Sequence, residues 1–178
     1  TQLGSATGRP DRVVVAHFIN PPYLMPLVEV VPGNGTSRET VATIVDLVES
    51  AGNEPVVIEK EVPGFVSVRL QMALAREAIS LVQTGVASAA DIDTVIKTSI
   101  GRRWAAAGVF EVLDIAGWDT ISAVGSQVLP DLDPPSEVPT LLREKVERGE
   151  LGVKSGRGFY DWTPASAQAL RQRIARAF

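Results

Sequence analysis

The sequence predicts an α/β tail followed by an all-α helical domain, with the change at about residue 62. Two observations predict it. Short β-branched runs closed by proline or glycine fill the first sixty residues, with one helical stretch between them. From Pro63 onward the apolar period turns helical. Strands of the first kind belong to a layered sheet, and so few of them cannot cover both faces. Residues 1–62 therefore read as the end of an α/β domain whose beginning is absent.

Each element follows from local chemistry. The run 13–19, around His17 and between Pro10 and Pro21-Pro22, reads as a buried strand. A second strand, 27–31, is closed by Pro32 and Gly33. Residues 36–51 read as a helix. Thr36 and Glu39 have capping-box spacing, Val41, Ile44, Val45 and Val48 form one apolar stripe, and Gly52 stands where a helix stops. The third strand is 55–59. Val66, Leu70, Ala73, Leu74, Ala78, Leu81 and Val82 then keep helical spacing until Gly85. Ser88 with Asp91 starts a helix reaching about Ile100. Gly101 to Trp104 reads as a loop, 110–116 as a short helix, and Asp119 as the N-cap of another reaching Leu129. Residues 130–139 hold four prolines among acidic residues, a stiff surface connection. A helix over 141–148 stops at Gly149, and Thr163-Pro164 is N-cap and first position of a last helix to Phe178.

Composition narrows the function. Lys plus Arg is 17 against 21 for Asp plus Glu, a net charge of −4, so no basic excess points to nucleic acid or an anionic membrane. Cysteine is absent, which excludes disulfides, thiolate nucleophiles, zinc fingers and iron–sulfur clusters. One histidine excludes histidine-rich metal sites. No apolar run has membrane-span length and no basic-then-apolar leader opens the chain, so the expected compartment is cytoplasmic.

His17 lies near the end of a strand, where open α/β sheets place their ligands. Glu29 follows twelve residues later on the next strand. A neutral imidazole can take a proton at pH 7, and a carboxylate on its other nitrogen fixes the tautomer. Spacing alone favours the plainer reading, a satisfied strand-end histidine and a surface acid. Arg102, Arg103 and Trp104 are compatible with an anionic ligand, a subunit boundary or an exposed linker. Lys154 and Arg157 read as a solvated turn, and the Leu70, Leu74, Leu81 stripe as core or interface.

The segment from His17 through Asn20-Pro21-Pro22 to Leu27-Val28-Glu29-Val30-Val31 resembles the 3-hydroxyacyl-CoA dehydrogenase family, which includes the lambda-crystallin or L-gulonate 3-dehydrogenase branch. Pro63-Gly64-Phe65-Val66, Asp91-Ile92-Asp93, Gly108 with Phe110-Glu111, and Gly152-Val153-Lys154-Ser155-Gly156-Arg157-Gly158-Phe159-Tyr160 resemble further family signatures in order. The resemblance implies a Rossmann tail joined to a helical substrate and dimerisation domain at 63–178. It implies NAD as cofactor, His17 as general base, Glu29 as its partner carboxylate and Asn20 beside the nicotinamide.

Two departures stand out. The family's G-x-G-x-x-G fingerprint and its catalytic serine are not in the chain. Val68 occupies the position of the family's catalytic asparagine in G-F-x-x-N-R-L, and valine offers no donor or acceptor. Ser67 could stand in, although it should point about 100° away around the helix. The expectation is the C-terminal part of an NAD-dependent L-3-hydroxyacyl-CoA dehydrogenase-like enzyme, inactive without an N-terminal Rossmann half and dimeric through its helices. Its substrate would be a 3-hydroxyacyl-CoA. The alternatives are an L-gulonate or 3-hydroxy acid dehydrogenase, and a non-catalytic helical oligomerisation module. No metal, membrane or nucleic-acid partner is expected.

Overall fold

In the computed structural model, which describes residues 1–133 and 139–177, the three expected strands form one sheet. A short helix α1 (Gln2–Ser5) and a 3-10 turn at Pro10–Arg12 lead into β1 (Val14–Phe18). β1 runs antiparallel to β2 (Leu27–Pro32), and β2 runs parallel to β3 (Glu54–Val57). A parallel pair needs a crossover, and α2 (Arg38–Ser50) supplies it while packing on all three strands. β2 is therefore central, and its residues Val28, Val30 and Val31 are at most 2% exposed. Val48 of α2 and Ile58 after β3 complete this small core.

The chain divides into two compact units. One holds Thr1–Gln71 with the residues from Ala169 on, the other Met72–Gln168. The helices are α3 (Ser67–Gln83), α4 (Ala89–Thr98), α5 (Ile100–Ala106), α6 (Val109–Ala116), α7 (Trp118–Val128), α8 (Thr140–Glu147) and α9 (Pro164–Ala175). Their starts follow the sequence in several places. Ser88 Oγ accepts from Asp91 N at 3.2 Å, and Thr163 Oγ1 from Ser166 N at 3.1 Å. Glu111 Oε2 accepts from Gly108 N at 2.6 Å. Among the described residues of the second unit only Ala167 is buried.

Four expectations are corrected here. Ser37, not Thr36, caps α2, accepting from Thr40 N at 3.1 Å. Thr36 instead accepts from Gly33 N and donates to Val13 O, so its hydroxyl is spent on the β2–α2 turn. Gly101 to Trp104 is helical, inside α5, because Arg, Trp and Ala all tolerate helix and no proline interrupts them. Asp119 sits within the first turn of α7, and Gly117 at φ +86° is the residue that ends α6 and begins α7. Residues 1–62 do not behave as a leftover tail, since they contain the most deeply buried side chains and their own covering helix. Of the proline-rich connection, residues 134–138 lie outside the described residues, as does Phe178.

The C-terminal signature is a knot of polar contacts. Lys145 of α8 donates to Glu150 Oε2 and to Gly158 O, both at 2.7 Å, with its ammonium 4.7 Å from the Phe159 ring centre. Lys145 draws the Glu150 carboxyl below the usual carboxylate range. Tyr160 donates to Asp93 Oδ2 at 2.9 Å. A Cβ on Gly158 would lie 2.9 Å from Gly152 Cα, so only glycine permits this backbone approach.

Candidate active site

The antiparallel register of β1 and β2 pairs His17 directly with Glu29. Directly opposed residues project to the same face with Cβ atoms about 5 Å apart. The twelve-residue spacing is thus a hairpin register, and it brings His17 Nδ1 to 2.8 Å from Glu29 Oε2. The His17 ring also meets the Phe65 ring edge-on, with centroids 5.3 Å apart.

Glu29 is 1% exposed on the central strand, between Val28 and Val30. A carboxylate there is costly unless it is fully hydrogen-bonded. Four donors meet it. Val66 N and Ser67 N reach Oε1, each at 2.9 Å, and Ser67 Oγ reaches Oε2 at 2.7 Å beside His17. An ionised carboxylate offers about four lone-pair positions, so all are used. Burial pushes the Glu29 carboxyl up. The Ser67 N–H, His17, the Ser67 hydroxyl and the Val66 N–H together outweigh burial and hold it below the usual carboxylate range.

The donors come from the turn that opens α3. Gly64 has φ +76° and Phe65 φ +48°, a strained value for a residue with a side chain. This left-handed pair sets the first N–H groups of α3 against Glu29. The favourable end of the helix dipole adds to their effect. With an anionic acceptor on Nδ1, that nitrogen carries the proton and Nε2 carries a lone pair. Nε2 has no hydrogen-bond partner among the described residues, and His17 is partly open to solvent. The pair is therefore arranged to accept a proton at Nε2.

The remaining sequence candidates fall as follows. Asn20 is exposed just beyond β1, and its side chain has no hydrogen-bond partner among the described residues. Val68 is 38% exposed, and its side chain has no polar atom to offer. Ser67 does not take over the asparagine's contact, because its hydroxyl proton goes to Glu29. Sequence reading missed Ser67 and the two N–H groups as partners of Glu29. The available signal was an acid inside an otherwise apolar strand, facing a helix start with no Ser, Thr, Asp or Asn ahead of it. Arg102 and Arg103 are exposed on α5 and make no ion pair among the described residues. Among those residues no cluster could hold a metal ion, and no helix is long and apolar enough to cross a membrane.

Comparison with known proteins gives this geometry its context. The family model described as 3-hydroxyacyl-CoA dehydrogenase, NAD binding domain, matches residues 1–62. The one described as the C-terminal domain of the same enzymes matches residues 64–162. The first match corrects the expectation of an α/β tail lacking its Rossmann half, because residues 1–62 are themselves matched as NAD-binding domain. Inactivity of the chain by itself has no support in these matches. A curated relative, 5-formyl-3-hydroxy-2-methylpyridine 4-carboxylate 5-dehydrogenase of Mesorhizobium japonicum, is 41% identical over 176 residues, covering 99% of this chain and 57% of the relative. A crystal structure of a 5-dehydrogenase for the same acid, described as an NAD+ dependent dismutase, superposes with TM-score 0.96 at 41% identity, over 99% of this chain and 57% of that one. The (S)-3-hydroxybutyryl-CoA dehydrogenase of Ralstonia eutropha gives TM-score 0.69 at 35% identity, over 92% and 56%. The chain spans a little over half the length of these relatives. With both family domains matched in order along its length, the chain belongs to the 3-hydroxyacyl-CoA dehydrogenase family, whose cofactor is NAD.

Proposed function

We propose that the chain forms the proton-transfer part of an NAD-dependent dehydrogenase that oxidises a 3-hydroxy group, with a 3-hydroxyacyl-CoA as substrate. The observation that supports it is the fully satisfied, buried Glu29 carboxylate behind a His17 whose Nε2 has no partner among the described residues. His17 Nε2 takes the substrate hydroxyl proton as the carbinol becomes a carbonyl. Glu29 holds the ring in the reactive tautomer and stabilises the imidazolium. NAD, when bound, accepts the hydride. Asn20 is the residue we assign to the nicotinamide end. We read residues 1–62 as the cofactor-side domain and 63–178 as the substrate and dimerisation domain, with the homodimer formed through the helices.

A second reading is favoured by the TM-score of 0.96 against 0.69. There the substrate is a small carboxylated aldehyde or alcohol, such as the pyridine acid named for the Mesorhizobium relative. Val68 in the asparagine position accords with a reacting group held differently from that of 3-hydroxyacyl enzymes.

NAD+ reduction by the purified protein, with 3-hydroxybutyryl-CoA, L-gulonate and the pyridine aldehyde compared, separates these readings. His17→Gln is expected to lower kcat by about 10²–10⁴ on the accepted substrate. Val68→Asn is expected to raise the rate on 3-hydroxybutyryl-CoA by about 10²–10³. An unchanged rate in His17→Gln would remove the general-base assignment.

A further inference from the structure

We propose that Ser67 is a positioning residue, whose hydroxyl anchors Oε2 of the Glu29 carboxylate so that it stays on His17 Nδ1. The proposal rests on His17 acting as the base. Oε1 is pinned by two backbone donors, Val66 N and Ser67 N, both at 2.9 Å. Terminal torsions of Glu are intrinsically broad, and turning this one would carry both oxygens off their donors. The two bonds on Oε1 resist that turn, and at Oε2 two further partners do. One is His17 itself, the group to be positioned, at 2.8 Å. The other is Ser67 Oγ at 2.7 Å, carried by the rigid first turn of α3.

The hydroxyl has an ordinary local alternative that it does not take. A serine at a helix start commonly turns its oxygen to a backbone N–H two or three residues on. Here the first backbone bond of the turn runs from Leu70 N to Val66 O, and the Ser67 hydroxyl points to Glu29 instead. The backbone N–H of Ser67 would remain after a side-chain change, so the helix start keeps its tie to Glu29 while Oε2 loses the donor that holds it beside His17. Ser67 is thus separable from the fold in a way that Glu29 is not.

His17 is the single histidine of the chain, so its Nδ1–H proton is an unambiguous NMR signal that needs no assignment by elimination. In the native protein this proton is expected as a resolved resonance protected from exchange with water. Ser67→Ala is expected to broaden it away and to lower kcat about tenfold with KM unchanged, the usual scale for losing an orienting partner one step behind the reacting group. Ser67→Thr, which keeps the hydroxyl, is expected to restore both. A circular dichroism melt of each variant establishes that it is folded before comparison. Ser67→Cys, with only a weak donor, provides a second variant if alanine does not fold, and is expected to fall between serine and alanine. A folded Ser67→Ala protein that keeps a protected Nδ1–H and full kcat overturns the proposal. So does a threonine variant that restores neither. If His17→Gln retains activity, the base reading fails while the resonance experiment still reports whether Ser67 orders the pair.

Discussion

Glu29 accepts four hydrogen bonds from three residues, and this one side chain explains most of what the site can do. Its carboxyl is held below the usual range, so the folded chain binds that proton more weakly than the unfolded chain does. The stabilisation is complete above the unfolded value of about 4.3 and is lost as pH falls through the folded one. The melting temperature of the native protein should therefore fall more steeply than that of Glu29→Gln between about pH 5 and pH 2. Parallel slopes from thermal melts across that range would show that Glu29 is not ionised against its donors. At this scale the sequence revealed His17 and Glu29 through their neighbours, and geometry supplied the reason, a cross-strand register that spacing alone does not display. Ser67 escaped because a hydroxyl on a helix start is usually engaged with its own backbone.

At the scale of elements, apolar periodicity placed the three strands and most helices, since burial and period are the same physical fact seen twice. Ends were harder to read. Thr36 and Ser37 are adjacent and chemically equivalent as caps, and which one serves α2 depends on Thr36 being needed by Val13 and Gly33. Residues 101–104 carry no turn chemistry beyond one glycine, and the helix simply runs through them. The turn after α8 is different in kind, because Lys145 ties it together through Glu150, Gly158 and Phe159. Lys145→Met retains the stem and removes the ammonium. It should cost about 2 kcal/mol in a urea titration, the scale of a hydrogen bond to a charged group. A change within a few tenths of a kcal/mol would mean the turn holds without it.

Across the whole molecule, the apolar residues are unevenly served. The sheet buries its valines almost completely, whereas Leu70 is 63%, Phe110 70% and Ile115 86% exposed. Large apolar side chains left this exposed are the kind that association covers. We expect native mass spectrometry of the purified protein to give twice the chain mass, and Leu70→Asp to shift the population to single chains. A monomer in both cases would remove the dimer. The whole-molecule reading also shows where sequence argument failed. Counting strands suggested a remnant, but the number of strands does not decide domain identity. The order of side chains along 1–62 is what the NAD-binding domain of the family shares.

The shared use of Glu29 has an evolutionary consequence. Its carboxylate both orients His17 and closes the backbone at the start of α3. Chemistry and foldedness therefore draw on one residue, the reverse of the usual conflict between active-site function and stability. A lineage released from selection for the reaction is expected to shed the imidazole early and the acid late. A retired copy of this chain should be recognisable by a strand that keeps its buried glutamate opposite a position where no histidine is left.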